Sequence, residues 1–105
     1  MASLQLNAIP EKEIFPGFTA RIINTANMTL VYVRVKAGTL LPEHAHPQEQ
    51  VTNLLEGRLE LIIGGETVLL EPGIVGTIPS NASHSGRALT DCYILDIFHP
   101  HRSYT

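Results

Sequence analysis

Apolar residues in this chain come in short runs broken by Gly, Pro and Asn, and no segment sustains a helical period. In "MTLVYVRVKAG" (28–38), Val31, Val33 and Val35 fall on one face and Tyr32, Arg34 and Lys36 on the other. A period of two is the mark of a strand with one buried face. "TARIIN", "QVTNLL", "RLELII", "ETVLL", "GIVGTIP", "SHSGRAL" and "DCYILDIF" read as further short strands. "EG" and "EPG" punctuate them as turns, and the Gly64-Gly65 pair is a hairpin signal, because glycine accepts positive φ at both central positions. Strands this short and this regularly spaced predict an all-β sandwich or barrel. A length of 105 residues supports one packed core. The expected organisation is a single domain over 1–105, with its barrel core at about 15–98, an N-terminal strand and a short C-terminal tail.

Bulk properties narrow the function. Hydrophobic residues make up 44% and charged residues 16%, as in a folded globular protein. A net charge of −3 gives no electrostatic reason to expect nucleic acid or an anionic membrane as partner. The single cysteine, Cys92, rules out an internal disulfide, and its parity within the last strand makes it a small core residue rather than a nucleophile. No apolar run approaches the ~20 residues of a membrane span. "MASLQLNAIPEKE" lacks the apolar core of a signal peptide, so a cytoplasmic location is expected. The apolar "LQLNAIP" has little to cover on so small a barrel, and a homodimer is the expected assembly.

The chemistry-bearing residues cluster in "GTLLPEHAHPQEQVTNLLEG" (38–57) and in two later places. In an extended segment His44 and His46 point to one face and can present two imidazoles to one ion, or they are two exposed histidines before a proline turn. Gly38, five residues, His44-Ala45-His46, three residues, Gln50, six residues, Gly57: this spacing resembles the first motif of the cupin superfamily. Gly73, five residues, Pro79-Ser80-Asn81, two residues, His84 resembles the second, with Asn81 where glycine is usual and Ala88 where the motif ends in Asn. The resemblance implies a small double-stranded β-helix, or jelly-roll, barrel in which His44, His46, Gln50 and His84 converge on one divalent transition metal ion. Three imidazoles and an amide oxygen suit Zn, Ni, Mn, Fe or Cu.

Glutamate is usual at position 50 in cupins, and Glu49 lies next door. Parity with His44 and His46 favours Gln50 if the strand is regular. Three neutral imidazoles and an amide leave the ion's charge of about +2 uncompensated, which favours an anionic ligand and redox-neutral, Lewis-acid chemistry over oxygen activation.

In "ILDIFHPHRSYT", Ile94, Asp96 and Phe98 share a face. Arg102 follows closely enough to pair with Asp96, closing the barrel end, or with a substrate carboxylate. H-x-H-x3-Q, the later His, and the ending D-x-F-x-P-x-R resemble the small cupins of the KdgF type, pectin-degradation proteins acting on unsaturated uronates. The match runs from about Thr19 to Arg102 and includes Asp96, Phe98, Pro100 and Arg102. It implies ring opening of a 4,5-unsaturated uronate, with Arg102 on the carboxylate, Asp96 moving protons and Phe98 walling the pocket. The small-molecule substrate is then a carboxylated sugar. His99 and His101 flank Pro100 as exposed tail residues or ligands of a second ion. Competing readings are a cupin isomerase or dioxygenase with another substrate, and a non-catalytic ligand-binding cupin.

Overall fold

The computed structural model describes residues 2–104. A short 3-10 turn, Leu6–Ala8, precedes ten strands: β1 (Lys12–Phe15), β2 (Phe18–Asn24), β3 (Thr29–Val35), β4 (Leu40–His44), β5 (Glu49–Glu56), β6 (Leu59–Ile63), β7 (Glu66–Leu70), β8 (Val75–Ile78), β9 (His84–Ala88) and β10 (Cys92–His99). They form a six-stranded sheet in the order β1-β2-β3-β10-β5-β8 and a four-stranded sheet in the order β4-β9-β6-β7. Every strand pairing is antiparallel. The two sheets face one another as a jelly-roll barrel.

Alternation builds the interior. In β3, Val31, Val33 and Val35 are buried while Tyr32 and Arg34 turn outward. β-Branched side chains suit this position, because their one preferred rotamer packs well on a pleated surface. Ala20, the β3 valines, Leu54, Ile94 and Phe98 on the larger sheet meet Leu59, Leu61, Leu70 and Ala88 on the smaller. The Gly64-Gly65 turn does join a hairpin, β6 with β7. The "EG" turn instead carries the chain from one sheet to the other, since β5 and β6 are not partners. It needs Gly57, whose φ is 99° and where a Cβ would run into the Asp91 carbonyl oxygen.

Strand β4 and the 3-10 turn were not read from the sequence, and of β1 only an N-terminal strand without bounds was expected. β1 and β4 hold few buried residues, so their alternation is faint. Strands thus run from Lys12 to His99. Among the described residues no helix is long and apolar enough to cross a membrane.

Candidate metal centre and substrate pocket

At one end of the barrel the interior turns polar. His44 ends β4, His46 follows in the β4–β5 loop, Gln50 begins the inner face of β5, and His84 opens β9. β4 and β9 bring His44 and His84 directly opposite each other. The second motif pins the first: the Asn81 N–H donates to the His46 carbonyl at 2.8 Å. Asn81 has φ 64°, a left-handed conformation that asparagine tolerates better than most residues, which is why it can stand in a glycine position.

The three imidazoles are oriented alike. Each Nδ1 lies against a carbonyl oxygen: Pro42 for His44 at 3.0 Å, Gln48 for His46 at 3.0 Å and Ala82 for His84 at 2.9 Å. A carbonyl only accepts, so each Nδ1 donates and each Nε2 keeps its lone pair. Ring centroids are 4.2–5.6 Å apart, and one ligand atom from each ring lies within 4.8 Å of the others. Among the described residues the buried His84 Nε2 has no hydrogen-bond partner. Burial chiefly lowers the pKa of both His46 and His84 below the ordinary value, and the Arg102 charge pushes the same way.

Gln50 completes the set. Its Nε2 donates to Thr52 Oγ1 at 3.0 Å and to Asp96 Oδ1 at 3.2 Å, which fixes the amide orientation. Oε1 therefore faces His46 Nε2 at 3.1 Å, a contact between two acceptors. Only something positive relieves such a contact. An orphaned imidazole nitrogen, three locked tautomers and a facing amide oxygen fit a divalent cation held by His44, His46, His84 and Gln50.

Gln50 is buried and Glu49 exposed, but not for the reason parity suggested. His44 and Gln50 belong to different sheets, so the barrel, not one continuous strand, brings them together. The idea of a wholly uncompensated ion also needs correction. Asp96 lies behind Gln50, one amide away, and accepts a further hydrogen bond from Thr52 Oγ1 at 2.8 Å. Burial, opposed by those donors and by the Arg102 charge, pushes the Asp96 carboxyl up to about 6.

The Asp96–Arg102 ion pair left open by the sequence does not form. Among the described residues no carboxylate lies within ion-pair distance of Arg102. Its guanidinium stands 5.2 Å from the Phe98 ring centre and 5.1 Å from that of Tyr104. Phe98, buried, packs edge-on against His46 at 5.6 Å. A small cavity of about 40 Å³ joins His44, Gln50, His84, Asp96, Arg102 and Tyr104. Sequence reasoning missed Thr52 and Tyr104. Thr52 was legible by its parity with Gln50 on β5, whereas nothing in "SYT" marks Tyr104.

His99 is exposed, and His101 turns its Nε2 to the Thr25 carbonyl, away from the trio. Among the described residues the trio alone forms a metal-capable cluster of His, Cys, Asp or Glu. Cys92 is buried at the opposite end of β10 against the Arg58 and Thr90 carbonyls.

Comparison with known proteins places this geometry. KdgF from Halomonas sp. superposes with a TM-score of 0.86 at 26% identity, covering 92% of this chain and 91% of that one. An RmlC-like cupin from Shewanella frigidimarina superposes with a TM-score of 0.90 at 20% identity, covering 98% and 94%. An uncharacterized protein of Streptomyces coelicolor is 26% identical over 94 residues, 89% of this chain and 90% of its own. The cupin domain family matches residues 31–98. That match spans more than half of the 105 residues, and the chain belongs to the cupin family.

Proposed function

We propose that this cupin is a metal-dependent enzyme that opens the ring of a 4,5-unsaturated uronate without net oxidation or reduction. The observation that carries the reading is Arg102: a guanidinium with no carboxylate partner among the described residues, held beside three imidazoles whose Nε2 atoms keep their lone pairs. A divalent transition ion held by His44, His46, His84 and Gln50 supplies Lewis acidity toward ligand oxygens. Arg102 takes the sugar carboxylate in two parallel hydrogen bonds. Phe98 keeps water from the His46 side of the pocket. Ring opening breaks the bond between the anomeric carbon and the ring oxygen, takes a proton from the anomeric hydroxyl and delivers one to the former double bond. Asp96 is the residue assigned to that transfer, and a carboxyl near 6 is matched to it, able both to take and to give a proton near neutrality. The likeness to KdgF and the shared D-x-F-x-P-x-R ending support this choice of substrate.

The test is loss of the conjugated ultraviolet absorbance of 4,5-unsaturated galacturonate, followed alongside metal content by elemental analysis. Turnover with about one equivalent of metal per chain is expected. No turnover on any unsaturated uronate by metal-loaded protein would sink the reading. One observation favours a second reading. Asp96 accepts from both Gln50 and Thr52, so in a non-catalytic binding cupin it would serve only to orient Gln50. Ligand binding without turnover would select that reading.

A cytoplasmic homodimer belongs to the same proposal. Leu4 is 69% exposed, and no residue of the Leu6–Ala8 turn is fully buried in its own chain. Light scattering at micromolar concentration should show a dimer, and a stable monomer would reject it.

A further inference from the structure

Beyond His99 the chain does not trail off. It folds back along the barrel mouth and is tied there. Gln48 Nε2 donates to the His101 carbonyl at 2.9 Å, the Arg102 N–H to Thr29 Oγ1 at 3.0 Å, and Lys12 Nζ to the Tyr104 carbonyl at 3.2 Å. The receiving Thr29 is fully buried, and its hydroxyl is itself fixed on Asn24 Oδ1 at 2.7 Å. These ties hold the backbone around Arg102. They do not hold its side chain, which has four rotatable bonds leading to the guanidinium and no hydrogen bond or ion pair among the described residues.

Two rings do that instead. The guanidinium carbon is 5.2 Å from the Phe98 centroid and 5.1 Å from the Tyr104 centroid, while the rings lie 6.1 Å apart at 68°. The cation sits in the corner they make, within reach of both ring quadrupoles. Phe98 is anchored by β10, and Tyr104 packs against the core and shares the lining of the interior cavity with Ile14 and Phe18. Arg102 and Tyr104 both border two spaces: the interior cavity shared with His44 and Asp96, and a groove lined by Ile9, Ala20 and Ile22. Without that ring the guanidinium could leave the cavity side for the groove that Arg102 already borders.

We propose that Tyr104 is a positioning residue for anion recognition: its ring, with that of Phe98, holds the Arg102 guanidinium on the metal side of the tail, ready for a ligand carboxylate. The proposal rests on the reading of Arg102 as the carboxylate-binding group. It assigns the work to the ring face, and the phenol hydroxyl is dispensable. Burial pushes that phenol's pKa up, so it stays neutral beside the cation.

The experiment measures affinities of the metal-loaded full chain for galacturonate and for its methyl ester, which lacks the charge. Wild type should prefer the acid. Tyr104→Leu keeps an apolar side chain but no ring, and should cut that preference about tenfold, the worth of a cation–ring contact of ~1.4 kcal/mol. On the uronate substrate it should raise KM and leave kcat nearly unchanged. Tyr104→Phe should restore the wild-type preference. An unchanged preference in Tyr104→Leu, or failure of Tyr104→Phe to restore it, overturns the proposal. A wild type with no preference for the acid rejects instead the Arg102 reading beneath it, so the two failures are distinct.

Discussion

Strand β10 runs through two chemically different halves of one barrel. At its start, Cys92 and Ile94 pack among Val33, Val35, Leu54, Leu59 and Leu61, an interior of apolar side chains. Four residues on, Asp96 and Phe98 face Gln50, Thr52 and the histidines. The pairing of β10 with β3 runs unbroken through both halves, while its pairing with β5 shifts register once, between Tyr93 and Ile94. The dry half gains free energy from every side chain it removes from water. The polar half contains a carboxyl raised by burial, an unpartnered His84 Nε2 and two facing acceptors, each a cost to folding. A fold keeps such costs where function needs them. The dry half should govern stability and the polar half activity.

Asp96→Asn should separate the halves most sharply. Asn keeps an acceptor for Thr52 and Gln50 but cannot exchange a proton, so turnover should fall by about 10²–10⁴ with metal content unchanged. The stability effect has the opposite sign. Folding raises the Asp96 pKa from 3.8 to about 6, so the folded state holds a proton that the unfolded chain has released. Metal-free wild type therefore loses stability as pH rises through that window. His46 and His84, lowered from 6.5, act the other way and cost stability as pH falls below that value. In chelator, Asp96→Asn should melt higher than wild type at pH 8, and the difference should close near pH 4. A lower melting temperature at pH 8 with normal turnover would make Asp96 structural and erase the contrast.

Leu54→Ala is the converse test. Leu54 is 1% exposed in the dry half, and truncating so buried a leucine costs about 2–5 kcal/mol. The melting temperature should fall by several degrees, while metal content and turnover per folded molecule stay near wild type. A matching loss of metal would show that the halves are one cooperative site.

Gln50→Glu probes the border between them. The new carboxylate would replace an amide nitrogen 3.2 Å from Asp96 Oδ1, setting two acids side by side. Without metal one of them must hold a proton. With metal, the added charge should keep or tighten the ion and weaken anionic ligands severalfold, since it cancels about one unit of site charge. Calorimetry with galacturonate reads this directly, and tighter binding would refute the electrostatic account.

How legible each half was follows from its physics. The dry half is written in alternation: Val31, Val33 and Val35, or Ile94 after Cys92, announce their burial two residues at a time. Strands β1 and β4 carry little such signal because so little of them is buried. The site was legible only as spaced residue types, His44, His46, Gln50 and His84, because its geometry is made between sheets and not along a strand. Gln50 was chosen over Glu49 by a parity argument across Pro47, yet the two sheets decide it. Tyr104 stands only two residues from Arg102, but the tail there is not a strand and offers no parity to read, so the ring contact left no signal.

Cys92 gives the smallest expected effect and the cleanest control. It lies on the same inner face of β10 as Asp96, so sequence position alone does not exempt it from the chemistry. Its surroundings do. The thiol is 5% exposed, donates toward the Arg58 and Thr90 carbonyls at 3.2 and 3.3 Å, and has its pKa raised chiefly by burial. A thiol, not a thiolate, shielded by the dry half has little nucleophilicity. Iodoacetamide at pH 7.5 should therefore label Cys92 only as fast as the protein opens, and labelling should speed up in Leu54→Ala but not in Asp96→Asn. Cys92→Ala removes one sulfur from the packed end and should cost about 1 kcal/mol with turnover unchanged. Fast labelling of the native protein, or a drop in turnover on Cys92→Ala, would mean that the active half extends down the whole strand.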